Sequence, residues 1–473
     1  MAVTLLRCAV IMIGGAHVLF ATVLNVRAAE TDQLSKPNFI VILADDLGYA
    51  DVGFQGCQDI PTPNLDKLAH QGICCTQGYV SHSFCSPTRA GLMTGRYQQK
   101  YGHENNPRYD PKDTFAGLPT REITVANILS EAGYVTGAVG KWHLGAAPHF
   151  HPLKRGFQEY FGLIGGGHDY FDVGEPGESR EYRIPLQRNT TPEKFDGYLT
   201  DVLSDEAVAF VRRHRDKPFF LYLAYNAPHA PLQAPDRYLE RVKHIQDARR
   251  RVYGAMIAAL DDGVGRLCDA LAELGLDKRT LIFFLSDNGE PVDVTHASNA
   301  PLRGGKGSVY EGGIRVPFVV RWTGVLPAGY TYNEPVISLD IPVTLAEAAG
   351  ATLPSDREID GVNLLPYFLD QHKGAPHEAL FWRQGGGTSW AVRRDDWKLV
   401  KAGQNQELQL FNLRQDISET TDVKAQYPEI CEELQQRYIE WNNHNVPPIF
   451  ESPRASRDRT VRQRGNAVPK PAN

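Results

Sequence analysis

The sequence predicts an α/β protein, with a central, mostly parallel sheet flanked by helices and a smaller C-terminal antiparallel sheet carrying one packing helix. Three observations carry this reading. Continuous apolar runs at Asn38–Leu43, Phe219–Tyr225 and Leu281–Leu285 suit strands buried on both faces, as in a parallel sheet. Helix-patterned stretches lie between them. Beyond Leu365 the alternation gives way to short strands separated by polar turns, the texture of a small antiparallel sheet. At 473 residues the chain exceeds the usual size of a single core, so a large domain over 30–370 and a smaller one over 371–448 are expected.

Before the first strand, Arg7 precedes an apolar run from Cys8 to Val26 that ends in Arg27-Ala28-Ala29. This reads as a secretory signal peptide over 1–28; an uncleaved anchor is the alternative, since the run is near the shortest spanning length. No later segment is apolar for long enough to cross a membrane, so a secreted or periplasmic protein without a stable membrane anchor is expected. Export would place Cys57, Cys74, Cys75, Cys85, Cys268 and Cys431 where disulfides form. Adjacent Cys74 and Cys75 are either bridge partners for Cys57 or another cysteine, or buried thiols. A hydrophobic share of 42% with 22% charged residues is ordinary for a globular protein, and the formal net charge of -6 argues against nucleic acid as the main partner. Attraction for anions must then be local, from cations clustered in a cleft.

The first apolar run ends in Asp45-Asp46-Leu47-Gly48. Two carboxylates at the carboxyl end of a central strand lie where open α/β sheets place ligands, and adjacent anions invite a hard cation; a turn or helix cap built on Asp is the plainer use. Thr62 to Gly72 reads as a short helix with a Thr cap, early Pro63 and terminal Gly72. Then comes Cys85-Ser86-Pro87-Thr88-Arg89, opening a helix that Gly95 ends. Pro87 suits a first turn, and the helix start would aim unpaired N–H groups at an anion beside Cys85. A further helix is expected near 123–132, and a strand from Tyr134 to Val139 delivers Gly140-Lys141-Trp142-His143, an ammonium and an imidazole able to share one cleft.

The stretch from Gly156 to Pro192, with Gly165-Gly166-Gly167-His168-Asp169-Tyr170, is rich in Gly and aromatic residues and reads as an irregular binding loop. After a helix near 198–214, the Phe219–Tyr225 strand ends near His229. One long helical region is expected from Leu239 to Leu274. It precedes Thr280–Leu285 and Ser286-Asp287-Asn288-Gly289, where an apolar run again ends in oxygen-bearing side chains. Asp45, Asp46, Asp287 and Asn288 together suit Ca²⁺ or Mg²⁺ rather than zinc. Arg303 and Lys306 then put cations on a Gly-rich loop, which would otherwise be a solvated turn. A strand follows from Val316 to Trp322. The last helix is expected near 428–442, with a disordered basic tail over 449–473.

Read in order, the DD after the first strand, C-x-P-x-R, G-K-W-H-L-G, P-H, S-D-N-G and G-G-K resemble the markers of the type I, formylglycine-dependent sulfatases over roughly 37–443. The resemblance implies an alkaline-phosphatase-like fold, Cys85 oxidised to formylglycine by a maturation enzyme, and one Ca²⁺ held by Asp45, Asp46, Asp287 and Asn288 with the modified Cys85 near the ion. It further implies that a hydroxyl of the formylglycine hydrate attacks sulfur to give a sulfated enzyme, and that the second hydroxyl then expels sulfate. Arg89, Lys141 and Lys306 would supply positive charge with the ion. His229 and Lys306 would protonate the leaving alcohol, and His143 and Arg89 would position the nucleophile. One departure stands out: some members carry a serine before the position of His168, and this chain has Gly167.

His103 to Arg108 and Gly166 to Asp169 are similar to segments of bacterial polysaccharide sulfatases, which implies a sulfated glycan substrate contacted by His168, Asp169, Arg303 and Arg108. Two other functions fit parts of the pattern: a phosphodiesterase or phosphonate monoester hydrolase of the same superfamily, or a noncatalytic glycan-binding module. A binder would have little need of Cys85.

Overall fold

The computed structural model describes residues 36–171 and 181–451. The expected signal peptide and nearly all of the basic tail lie outside these residues. Strands in the first half are β1 Asn38–Asp45, β2 Ile73–Cys75, β3 Gly78–Tyr79, β4 Val135–Lys141, β5 Glu159–Leu163, β6 Leu186–Arg188, β7 Thr191–Glu193 and β8 Phe219–Pro228. The second half adds β9 Thr280–Ser286, β10 Phe318–Arg321, β11 Tyr330–Tyr332, β12 Val336–Ile337, β13 Leu380–Gln384, β14 Ser389–Arg394, β15 Trp397–Lys401 and β16 Leu408–Asn412. Helices of seven or more residues fall into the same alternation, apart from the C-terminal one: α1 Pro63–His70, α2 Cys85–Thr94, α3 Val125–Glu131, α4 Leu199–Arg213 and α6 Ala248–Glu273, with the shorter α5 Asp236–Arg241 before α6, then α7 Asp340–Ala348 and α8 Pro428–Asn442.

The large sheet has the order β11-β2-β10-β9-β1-β8-β4-β5-β6-β7. Its centre, β9-β1-β8-β4-β5, is parallel, as the apolar runs predict. Every residue of β1, β8 and β9 is buried, because helices cover both faces and leave no position for an alternating polar side chain. One apolar core lies under α4 and α6 and the other under α2, α3 and α7. The antiparallel strands β13 to β16 form a separate four-stranded sheet, on which α8 packs through Leu434 and Tyr438.

Three sequence expectations change. The helical region from Leu239 to Leu274 is two helices, broken at 242–247, with Asp247 capping α6 by accepting from the Arg250 N–H at 2.8 Å. The Gly-rich stretch from Gly156 is not wholly irregular, since β5 pairs with β4 and β6 pairs with β5. Thr62 does not cap α1; its hydroxyl accepts from Gly53 N at 2.7 Å and meets Asp66 Oδ1 at 3.1 Å. Cys57, Cys74, Cys75, Cys85, Cys268 and Cys431 are all free thiols. Among the described residues no helix is long and apolar enough to cross a membrane.

Candidate active site

The central strands end side by side, so the residues that follow them share one cleft. Asp45 closes β1 at a register irregularity opposite β8, and Asp46 turns the chain with a φ of 62°. Lys141 is the last residue of β4 and His229 follows β8, while Asp287 and Asn288 follow β9. Facing them is α2, all ten residues of which are buried. Its first residue is Cys85. The helix has no side-chain cap at Phe84; instead the Ser86 N–H donates to Asn106 Oδ1 at 3.0 Å. Gly95 ends it in the left-handed conformation, φ 68°, as the sequence predicts.

Charges in the cleft alternate. Arg89, one turn into α2, donates from Nε and Nη2 to Asp287 Oδ2 at 3.0 and 2.7 Å, and from Nη1 to the Lys141 carbonyl at 3.0 Å. Its Nη2 also lies 3.7 Å from Asp45 Oδ1. Lys141 Nζ pairs with Asp45 Oδ2, and Lys306 Nζ reaches both oxygens of Asp46 at 2.6 Å. His229 Nε2 stands 3.6 Å from Asp46 Oδ2, and its Nδ1 donates to the Ala230 carbonyl at 2.6 Å. Ligand atoms of Asp45, Asp46, Cys85 and His229 all lie within 4.8 Å of one another.

Burial sets the protonation states. It pushes the Cys85 thiol up, and the Asp287 and Asp45 charges push it the same way, while Lys141 and Lys306 oppose. The cysteine as encoded is therefore a neutral thiol, the opposite of the lowered value a thiolate nucleophile needs. Burial also drives His143 well below its usual value, helped by Lys141 and Arg89, and lowers His229 to about 3, with Asp46 opposing. For Asp46 burial works upward, but Lys306, His229 and Lys141 outweigh it and hold the carboxyl below its normal range. Lys306 is raised well above the usual amine value by Asp46 and its neighbours, against burial. Lys306 thus keeps its proton and His229 is neutral.

The oxygen donors fit a hard divalent cation. Asp45 Oδ1 and Asn288 Oδ1 are buried and have no hydrogen-bond partner, and unsatisfied buried oxygens beside a second carboxylate are what such an ion relieves. Asp287 is turned differently: its Oδ2 takes both Arg89 contacts and its Oδ1 accepts from Asp46 N at 3.2 Å.

The expected substrate residues are less gathered. His168 has no exposed surface, and its ring nitrogens meet the carbonyls of Asp169 at 2.6 Å and Ile184 at 2.8 Å. It joins two chain segments rather than offering its ring to the cleft. Asp169 is half-buried and accepts from Phe171 N at 3.1 Å. Arg303 is exposed, stacks 4.0 Å from the Tyr310 ring centroid and donates to the Glu419 carbonyl at 2.7 Å. Arg108 is exposed.

Several neighbours escaped the sequence reading. Ser86 Oγ donates to the His143 carbonyl at 2.6 Å and accepts from His103 Nε2 at 2.6 Å, tying the residue after Cys85 to the left-handed turn at His143, φ 59°. Glu290 is buried with both carboxyl oxygens unpartnered; burial first and the Asp46 charge second raise it above the usual carboxylate range. Its place directly after Ser286-Asp287-Asn288-Gly289 was the available signal.

Carboxyl ends of parallel strands, a helix N-terminus and three cations converge on one point, the arrangement of an enzyme acting on an anionic ester. The sulfatase family model matches residues 37–351, and the model for the N-sulphoglucosamine sulphohydrolase C-terminal region matches 305–444. The chain belongs to the sulfatase family, whose members hydrolyse sulfate esters. It is 35% identical over 384 residues to mouse N-acetylgalactosamine-6-sulfatase, covering 76% of this chain and 71% of the relative; the match to the human counterpart spans 66% of that relative. The solved structure of Ps i-CgsB, also determined in complex with k-i-k-neocarrahexaose, is 41% identical with a TM-score of 0.84, covering 92% of this chain and 98% of that one. Phosphonate monoester hydrolase of Agrobacterium radiobacter, at 21% identity and a TM-score of 0.65 over 86% of this chain and 96% of that one, shares the fold.

Proposed function

We propose that the protein is an exported sulfatase that removes sulfate esters from a sulfated carbohydrate, after a maturation enzyme has converted Cys85 to formylglycine. The observation that carries this is the set of cations around Cys85 at the start of α2: Lys141 and Lys306 pair with Asp45 and Asp46, each of which has a carboxylate oxygen within 4.8 Å of the Cys85 sulfur, and Arg89 binds the Lys141 carbonyl. A sulfate ester builds negative charge on its equatorial and leaving oxygens as the bond to the alcohol breaks, and fixed cations in a cleft closed to water stabilise that charge. The carbohydrate reading is supported by the relatives, one an N-acetylgalactosamine-6-sulfatase and another solved in complex with k-i-k-neocarrahexaose.

Formylglycine at position 85, as its hydrate, would supply the attacking oxygen and a second hydroxyl to release sulfate. Asp45, Asp46, Asp287 and Asn288 would hold one Ca²⁺, which adds positive charge beside the nucleophile. Arg89 fixes Asp287 and the Lys141 carbonyl, so the cations keep their spacing. Lys306 carries the proton in the free enzyme and gives it to the departing alcohol. His229, neutral with its Nδ1–H on Ala230, offers Nε2 as the acceptor that passes a proton along the same path.

Mass spectrometry of the Cys85 peptide from native-host protein should show a loss of about 18 Da, and the same protein should release sulfate from sulfated oligosaccharides while Cys85→Ala does not. An unmodified thiol in that material would overturn the nucleophile, and faster turnover of a phosphonate ester than of the matched sulfate ester would overturn the substrate class.

A further inference from the structure

Gly167 directly precedes the buried His168, and the structure shows what occupies the space where a side chain would stand. A Cβ built on Gly167 would lie 2.9 Å from Cε1 and 3.0 Å from Cζ of Tyr182. These atoms are the far ring edge, so the phenol ring lies against the bare backbone of Gly167. The same ring meets His229 edge to face, with centroids 6.1 Å apart and planes at 75°. His229 in turn stands within the cluster that contains Cys85. Tyr182 therefore borders the cleft on the His229 side, where the proposed function places the departing alcohol.

Its position is fixed by the main chain. The Asp169 N–H donates to the Tyr182 carbonyl at 2.8 Å, and His168 Nε2 binds the Ile184 carbonyl two residues on. His168 is held in turn, because Asn226 Nδ2 donates to its carbonyl at 3.1 Å and Asn226 belongs to β8, which delivers His229. Tyr182 nevertheless keeps 38% of its surface exposed. A held aromatic residue that keeps part of its surface exposed beside a reaction centre costs little entropy to bind against, and the electron-rich face of a phenol ring suits the apolar, weakly positive C–H face of a pyranose.

We propose that Tyr182 is the platform on which the sugar ring bearing the scissile sulfate rests, and that Gly167 is required to seat it. The proposal rests on the sulfated-carbohydrate reading above and deepens it by naming the residue that selects a saccharide leaving group. His168 acts as a positioning residue for this platform.

The test measures kcat/KM on a sulfated neocarra-oligosaccharide, together with the inhibition constant of inorganic sulfate, for formylglycine-bearing wild type, Tyr182→Ala, Tyr182→Phe and Gly167→Ala. Tyr182→Ala should lose about 10-fold in kcat/KM, mainly through KM, with inhibition by sulfate unchanged because the anion contacts are elsewhere. Tyr182→Phe should recover most of the loss, since it restores the ring face, and Gly167→Ala should reproduce the loss by displacing the ring. Equal kcat/KM for Tyr182→Ala and wild type overturns the platform, as does a loss matched by equally weakened sulfate inhibition, which marks a disturbed cleft. A wild type that binds sulfate but turns over no sulfated saccharide overturns the carbohydrate reading itself, and is seen before any variant is compared.

Discussion

Arg89 has no exposed surface, and its guanidinium is used on three sides: Asp287 through two nitrogens, the Lys141 carbonyl, and the near oxygen of Asp45. Only a planar fork spans these together, so lysine is not a conservative replacement. An ammonium lacks the fixed fork that meets Asp287 through two nitrogens while a third reaches the Lys141 carbonyl, so part of this buried set would lose its partner. Arg89→Lys is expected to cost about 3–5 kcal/mol, the usual range for breaking a buried ion pair, and to lower kcat by about 100-fold if the folded fraction is assayed. Thermal melts and turnover per formylglycine-containing molecule separate the two effects. A variant with wild-type stability and turnover would remove Arg89 from the charge framework. Much of this framework was legible in the sequence, because a short polar motif directly after an apolar run can be placed at a strand end without knowing the fold. Arg89 itself lies inside a helix, where only the family resemblance gave it a place in the site, and its link to Asp287, 198 positions away, had no signal in the sequence.

The strands deliver these residues only because their neighbours permit close approach. Gly140, the residue before Lys141, has a φ of 105°, and a Cβ on it would lie 1.9 Å from the Ala224 carbonyl oxygen of β8. On the other side Gly162 of β5, in register with Gly140, would set a Cβ 2.0 Å from the Gly140 oxygen. Gly140→Ala combines a left-handed alanine, about 1–3 kcal/mol, with overpacking of similar size. It should therefore lower the melting temperature and weaken inhibition by inorganic sulfate, because β4 and its terminal Lys141 must move; an unchanged melt and sulfate affinity would show that the sheet absorbs the methyl. The same glycine content hid β5 from the sequence, since Gly162 interrupts Tyr160, Phe161 and Leu163 in a stretch dominated by glycine and aromatic residues. The break between α5 and α6 was hidden for another reason. Apolar Val242 and Ile245 continue a helical spacing across it, and both are buried in the core; only the Asp247 cap marks the restart.

Across the whole molecule, the small C-terminal sheet is bound to the large one by buried charge as well as apolar contact. Lys398 of β15, without exposed surface, lies 2.8 Å from Glu311 and 2.9 Å from Glu419. Glu419 also accepts from Glu311 N at 2.7 Å, and its carbonyl accepts from Arg303 on the Lys306 loop, so the contacts of the second sheet help hold the loop that carries Lys306. A second tie is titratable. His377, in the segment leading to β13, bonds Asp340 of α7 at 2.7 Å, and Asp340 also accepts from Ile337 N and Val362 N. Burial works to lower the His377 pKa, but the Asp340 charge and hydrogen bond outweigh it, and Asp360 adds to the rise, so the folded value lies above the ordinary 6.5. A folded value higher than the unfolded one means that folding binds a proton. The stabilisation is then complete below about pH 6.5, the unfolded histidine value, and is lost as the pH rises through the higher folded value. His377→Gln keeps a hydrogen-bond donor and removes the charge. The variant should melt a few degrees below wild type at pH 5.5 to 6, where the pair is fully charged, and the gap should shrink toward pH 9. A gap that stayed constant across this range would mean that His377 contributes through packing alone, and one that widened with pH would reverse the sign assigned to the pair.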